Sequence, residues 1–359
     1  MDSGTLVVLV VAVALTLASQ AAERDSDVTR FMRVTVVVIT LYFLLNGLLE
    51  LAAAAGGAST RSALGLSNTT TNLAAAGGLD TGFSLLTLAL FAVGTARIPG
   101  LRHLRPGRPI SWLALTLFFH SLAANLAPST ATATVAATVS TPQTTADLVV
   151  GGLPFAIIGI TAVGPGVRRD LRGVLERLGA LPLRPAGWLL GVAVGLLLVP
   201  LGDPIVTLLT THLTPADCQV QQQQVAQSLQ GVDRTALEQF GIALSAGVSE
   251  ELLFRGALQP RIGVLLSSVL WATFHLQYTC HGLPSVSNLY ILLLGLVFGG
   301  LRKWSGLLAA IAAHVAYDAA ILLGASNRLI FAMAGAAAIL ALPLVLVRGA
   351  AGRRVGTAA

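Results

Sequence analysis

Residues 186–211 read AGWLLGVAVGLLLVPLGDPIVTLLTT, and this stretch contains a single charged side chain, that of Asp203. A helix rises about 1.5 Å per residue, so the segment is long enough to cross the roughly 30 Å hydrocarbon layer of a bilayer. The whole chain has the same character, because 55% of its residues are hydrophobic, 11% are charged, and the mean hydropathy is +0.79. The sequence therefore predicts an integral membrane protein.

Similar apolar segments recur on both sides of this one. They predict an all-α fold, a polytopic transmembrane helical bundle of about eleven spans. The first segment has no basic residue before it and is preceded by Asp2, so we expect a retained helix, with a cleaved signal peptide as the alternative. The predicted spans are 5–22, 34–55, 79–97, 110–127, 148–167, 186–211, 236–256, 262–278, 288–301, 306–324 and 329–347.

Arginines cluster in alternate connections between these spans. Cytoplasmic loops of membrane proteins are enriched in Lys and Arg, so the alternation predicts the N-terminus outside and the C-terminus in the cytoplasm. We expect a multi-pass protein of the plasma membrane, with the lipid bilayer as its surroundings. The net charge of +6 comes from these short clusters, which indicate topology and not a nucleic-acid partner.

The ionisable residues divide the chain near Pro185. Residues 1–185 are predicted to form an accessory N-terminal membrane domain of about five spans, 186–347 the functional domain, and 348–359 a basic cytoplasmic tail. Cys218 and Cys280 fall on the outside, where a disulfide and two free thiols are equally compatible with the sequence. The histidines without a partner at useful spacing are expected to be structural or solvated, namely His103, His120, His212 and His281.

The seventh span contains the first part of a candidate site. It ends in the sequence SEELLFR, residues 249–255. Glu251 and Arg255 are four residues apart on one helix face, a spacing that suits an ion pair. Glu250 is rotated from Glu251 by about 100° and points elsewhere, so it remains available as a base. A charge within a membrane is costly unless it is paired or functional, which makes this span a candidate site.

The eighth and tenth spans contain the remaining candidates. His275 lies near the end of the eighth span, and His314 and Asp318 share one face of the tenth. A glutamate with a histidine supplies general-base chemistry, and a second histidine donates to developing negative charge. The same set, through Glu250, His275 and His314, is also suited to zinc, which activates bound water. Zinc and a metal-free site are both compatible with the sequence.

Together these residues resemble the CPBP family of intramembrane proteases, which includes the CAAX prenyl endopeptidases and the bacteriocin-processing, or Abi, proteins. The resemblance covers roughly residues 186–347 and implies hydrolysis of a peptide bond in a membrane-associated polypeptide, with access from the cytoplasmic side. It implies that Glu250 and His275 activate water and that His314 and Asp318 form the oxyanion region. Glu251 is implied to be a further catalytic residue and Arg255 a supporting one.

Two positions differ from the family pattern. Trp271 stands where a phenylalanine is common, and Asp318 stands where prenyl endopeptidases have asparagine. An ionised aspartate has no hydrogen to donate to an oxyanion. Asp318 is therefore either protonated, or a residue that orients His314, or a metal ligand.

The leading prediction is an intramembrane endopeptidase of the CAAX type, dependent on glutamate or on a metal. The alternatives are a proton-coupled transporter, since buried Glu, His and Asp also form proton relays, and a catalytically silent immunity or scaffold protein on the same fold. Other protease classes fit less well, because the sequence has no HExxH motif and no serine in a GxSxG context.

Overall fold

The computed structural model describes residues 3–58, 61, 70–93, 108–126, 144–216, 218–220, 223, 234–275, 279–280, 283–284 and 286–356. These residues are almost entirely helical. In the first half the helices are α1 (Ser3–Ala21), α2 (Ser26–Ala55), α3 (Thr70–Val93), α4 (Pro109–Leu126), α5 (Thr145–Gly151), α6 (Leu153–Thr161) and α7 (Leu171–Leu178).

In the described part of the second half there are six α-helices. They are α8 (Pro185–Thr207), α9 (Ala236–Glu251), α10 (Gln259–Thr273), α11 (Ser287–Ser305), α12 (Leu307–Leu322) and α13 (Asn327–Gly356). Two π-helical segments, Leu208–His212 and Leu252–Leu258, continue α8 and α9 respectively. A short antiparallel pair, β1 (Thr279–Cys280) and β2 (Leu283–Pro284), joins α10 to α11.

Among the residues that the structure describes, three helices are long and apolar enough to cross a membrane, Ser26–Ala55, Leu73–Ala92 and Pro185–Thr207. The all-α prediction is confirmed apart from the two-residue strands, whereas the count of about eleven spans is not. The predicted span 148–167 is broken into α5 and α6, because the chain turns at Gly152 and Pro154 follows at the start of α6. The predicted tail begins within a helix, since α13 continues to Gly356.

Close helix contacts position the helices that carry the candidate site. α8 packs on α12 and α13, and α9 packs on α12. Gly191 and Gly195 bring α8 against the backbone of α12, so that a Cβ on Gly195 would overlap the carbonyl oxygen of Ala313. Gly159 brings α6 against the π-helical segment, where an added Cβ would lie 2.8 Å from the carbonyl carbon of Leu252.

The division of the chain near Pro185 stays a prediction. One cluster of buried apolar residues includes Trp112 and Phe118 from the first half together with Phe254, Trp271 and Phe298 from the second. Cys218 is disulfide-bonded, which agrees with one of the two readings of the cysteines. The side chain of Cys280 lies outside the described residues, as do His103 and His281.

Candidate active site

Glu250 and Glu251 stand at the point where α9 becomes π-helical. α9 begins with a capping box, in which the side chain of Thr235 accepts from the backbone N–H of Glu238 and the Glu238 carboxylate accepts from that of Thr235. In this wider π turn the carbonyl of Phe254 accepts from the backbone N–H of Gln259, five residues further on. Ser267 of α10 also donates its hydroxyl to this carbonyl, at 2.7 Å. Such π segments often occur at functional sites.

Glu251 is fully buried and contacts two other site residues. Its Oε2 lies 3.3 Å from Nε of Arg255, and its Oε1 lies 3.0 Å from Nδ1 of His314 on α12. Arg255 is equally buried, donates to the carbonyl of Gly295 at 3.3 Å, and lies 4.7 Å from the ring centre of Trp271. Glu251 is therefore held between a guanidinium and an imidazole, and its carboxylate has little freedom to handle substrate protons.

Glu250 faces a different neighbour. Its Oε2 accepts a hydrogen bond from the indole Nε1–H of Trp271 at 2.5 Å, and its side chain is only partly buried. The two adjacent glutamates thus occupy different environments, as expected from their rotation around the helix axis. Glu250 is the carboxylate with access to the outside of the protein.

His275 contacts the backbone of the same tryptophan. Its Nδ1 lies 2.9 Å from the backbone carbonyl of Trp271. A carbonyl oxygen only accepts, so Nδ1 carries the hydrogen and the lone pair of the neutral ring is on Nε2. Asn288 of α11 supports this end of α10 by donating to the carbonyls of Ala272 at 3.2 Å and His275 at 3.4 Å. The role of Asn288 was not predicted from the sequence, because one polar residue near the start of a helix does not indicate a functional site.

His314 lies between two carboxylates. Its Nδ1 contacts Glu251, and its Nε2 lies 3.3 Å from Oδ2 of Asp318. The imidazole also stacks on Phe298 with a ring-centre distance of 5.1 Å. A neutral imidazole has only one N–H, so two carboxylate contacts require either an imidazolium or a protonated carboxyl group. The contact with Nε2 is compatible with Asp318 orienting His314, and this stays one of the three roles predicted for it.

The described residues do not form a metal site. No group of three or more His, Cys, Asp and Glu side chains among them is arranged to hold an ion. The three suggested ligands are Glu250, His275 and His314, and both ring nitrogens of His314 already face carboxylates. Among the described residues, these three side chains are not gathered into such a group, and a zinc site stays a prediction.

The more exposed side of the site faces away from a group of arginines. α10 begins beside Arg261 and ends at Thr273, just before the partly exposed His275. On α12, Asp318 lies one turn beyond His314 and its side chain is 27% exposed. The arginine rule predicts that the end of α10 near Arg261 faces the cytoplasm. The family resemblance implies that substrate enters from the cytoplasm, although the more exposed end of the site is the opposite one. Which end of the site faces the cytoplasm stays a prediction.

A second polar group lies in the first half of the chain. Nδ1 of His120, which has no partner at useful spacing in the sequence and was expected to be structural or solvated, lies 3.7 Å from Oδ1 of Asp80, and its ring stacks on Phe43. Glu50 of α2 lies close enough to Asp80 for their charges to interact. Ionisable side chains therefore also come together in the first half of the chain. The sequence does not reveal this proximity, because the three residues belong to different helices.

Comparison with known protein families supports the resemblance. Residues 234–320 match the family model Rce1-like, described as type II CAAX prenyl endopeptidase Rce1-like. This segment is less than a third of the chain, and it contains all six candidate residues from Glu250 to Asp318. No curated protein matches the chain. No solved structure matches it either.

Proposed function

We propose that this chain is an intramembrane endopeptidase of the CPBP type that hydrolyses a peptide bond in a membrane-associated polypeptide. The family match supports peptidase activity at the level of the family. The observation that carries the proposal is the separation of the two glutamates. Glu251 is buried between Arg255 and His314, whereas Glu250 is partly exposed beside Trp271.

In the proposed reaction Glu250 and His275 activate the attacking water. The carboxylate of Glu250 accepts a proton from water while the oxygen attacks the scissile carbonyl carbon. Trp271 holds both groups, since its N–H donates to Glu250 and its carbonyl accepts from His275. The lone pair on Nε2 lets His275 accept the proton and pass it to the nitrogen of the leaving amine.

We assign His314 to stabilising the oxyanion of the tetrahedral intermediate. In this role His314 is an imidazolium, which donates its Nδ1–H to Glu251 and presents a second N–H, on Nε2, on the side of Asp318. The substrate oxygen would take the place of the Asp318 carboxylate as the acceptor of that hydrogen bond. Arg255 acts only through Glu251 and is a positioning residue.

A cleavage assay tests the proposal. The purified full chain is reconstituted in lipid vesicles and incubated with a membrane-peptide library and with a prenylated CAAX peptide. We expect turnover that falls by about 10²–10⁴-fold in both Glu250→Gln and His275→Ala, the range for loss of general acid–base catalysis. Glu176→Gln, at an exposed glutamate of α7, is the matched control and should retain activity.

Two results would contradict the protease. One is no cleavage of any peptide by folded protein, and the other is cleavage that survives both active-site substitutions. Proton-linked solute uptake into the same vesicles, without cleavage, would instead support the transporter alternative.

A further inference from the structure

A group of arginines surrounds α7 at the end of the bundle away from His275. α7 begins at the cap residue Asp170 and ends at Gly179, which has a left-handed conformation with φ of 85°. The carbonyl of Gly179 accepts from the N–H of Leu307 at 2.9 Å, so this end of α7 is fixed to the start of α12. The arginines of the group are Arg168, Arg169, Arg177, Arg261 and Arg302.

Backbone contacts fix most of these side chains in place. Arg261 is buried and donates Nη2 to the carbonyl of Ala162 at 2.8 Å. Arg169 donates Nη1 to the neighbouring carbonyl of Val163 at 2.5 Å. The guanidinium of Arg302 lies directly against Gly179, where no other residue type would leave room for it. The group is therefore a preformed feature of the fold.

Acidic residues do not balance this positive charge. Glu23 pairs with Arg168, and Glu176 pairs with Arg172 on the exposed face of α7. Asp170 is used as the helix cap, where it accepts from the N–H of Gly173 at 2.8 Å. Within the described residues, no ion pair joins a carboxylate to Arg169, Arg177, Arg261 or Arg302.

Arg177 is at the centre of this unbalanced charge. Burial, together with the charges of Arg169, Arg302 and Arg168, lowers the pKa of Arg177 to about 10. Like charges held together in a folded protein repel, and a bound anion relieves that repulsion. Arginine is the residue best suited to such an anion when it carries phosphate oxygens, because its planar fork donates two parallel hydrogen bonds.

The surroundings of the group indicate the membrane interface. Trp304 follows Arg302 and Lys303 directly, and its side chain is 74% exposed. Tryptophan is enriched at the headgroup level of membranes, where one part of its ring is in apolar surroundings and another in water. Leu171 and Leu183 on either side of the group are also exposed, 75% and 54% respectively. Exposed apolar residues beside a basic group are typical of the depth at which lipid phosphates lie.

We propose that Arg177, with Arg169, Arg261 and Arg302 around it, forms a binding site for the phosphate group of an anionic phospholipid in the leaflet at this end of the bundle. Basic pockets between transmembrane helices bind lipid headgroups of this kind. The proposal does not depend on protease activity.

The site is tested with purified full chain in an uncharged detergent. Phosphatidylglycerol, phosphatidylcholine and inorganic phosphate are added separately, bound lipid is counted by native mass spectrometry, and the midpoint of thermal unfolding is followed by tryptophan fluorescence. We expect phosphatidylglycerol to bind and raise the midpoint, with little effect from the other two. The Arg177→Gln variant should weaken this binding about tenfold, as expected for loss of a hydrogen bond to a charged group.

The control is Arg172→Gln on the same helix, because Arg172 is 81% exposed and pairs with Glu176 outside the group. Its lipid affinity should equal that of the unmodified chain. Arg302→Gln provides a second variant in case one substitution disturbs folding. The proposal is overturned if phosphatidylcholine binds as well as phosphatidylglycerol, if inorganic phosphate alone gives the full stabilisation, or if Arg172→Gln weakens binding as much as Arg177→Gln.

Discussion

Nδ1 of His314 lies 3.0 Å from Oε1 of Glu251, although the two residues are 63 positions apart and belong to different helices. Both side chains are buried, and Glu251 also faces Arg255. This contact connects α9 to α12 at the centre of the site. In the proposed mechanism Glu251 therefore has a structural role, and the adjacent Glu250 has the chemical one.

The first prediction separates the two glutamates by stability. Glu251→Ala should lower the free energy of unfolding by about 3–5 kcal/mol, because it leaves the buried guanidinium of Arg255 unpaired. Glu250→Ala should cost less, about 1.5 kcal/mol, the lower end for a hydrogen bond to a charged group, because this side chain is only partly buried. Unfolding of both variants by denaturant in detergent measures the difference. Equal losses of stability would show that the two glutamates are not divided in this way.

A second prediction concerns Trp271. Trp271→Phe keeps an aromatic ring in the core but removes the N–H that donates to Glu250. We expect kcat/KM for peptide cleavage to fall by about tenfold, since a hydrogen bond to a charged group contributes about 1.5–3 kcal/mol. Trp188→Phe, on the outer face of α8, is the matched control. An unchanged kcat/KM in Trp271→Phe would show that the indole N–H of Trp271 does not position Glu250.

The third prediction distinguishes the roles of His314 and Asp318. His314→Ala should reduce kcat by about 10²–10³-fold, as expected for loss of an oxyanion donor. Asp318→Asn should retain activity within about tenfold, because the amide oxygen still accepts from Nε2 and no negative charge opposes the oxyanion. If Asp318→Asn is as inactive as His314→Ala, the charge of Asp318 is required and its role needs revision.

The fourth prediction tests the packing that positions His314. A methyl group added in Gly195→Ala would overlap the carbonyl oxygen of Ala313, the residue before His314. Overpacking of this kind costs about 1–3 kcal/mol, and we expect reduced cleavage as well as reduced stability. Gly241→Ala on α9 meets no atom within 4 Å and should be neutral or slightly stabilising. Comparable behaviour of the two variants would argue against this close contact.

The fifth prediction resolves the orientation. By the arginine rule, a cysteine at Arg172 faces the cytoplasm and should react with a membrane-impermeant maleimide only after cells are permeabilised. A cysteine at Leu237, which is 80% exposed at the start of α9, should react in intact cells. The opposite labelling pattern would invert the topology and place the exposed side of the site, with His275 and Asp318, toward the cytoplasm.

The helices and the candidate residues could be predicted from the sequence, because both depend on local patterns. Long apolar segments define helices in a membrane, and the predicted spans 236–256 and 306–324 lie close to α9 with its π-helical continuation and to α12. Spacing within one helix likewise predicts that Glu251 and Arg255 share a face. Charged residues in such segments are rare enough to be noticed one by one.

Only the tertiary structure decided which of these residues contact each other across different helices. The contacts of His314 with Glu251, of Trp271 with Glu250, and of His120 with Asp80 each join separate helices. So does the convergence of arginines from α7, α10 and α11 around Arg177. Such pairings depend on helix rotation and on close approach at glycines such as Gly195, which hydropathy does not encode. The sequence by itself determined which ionisable residues carry a free-energy cost within a membrane, and the packing of the helices determined which partners those residues have.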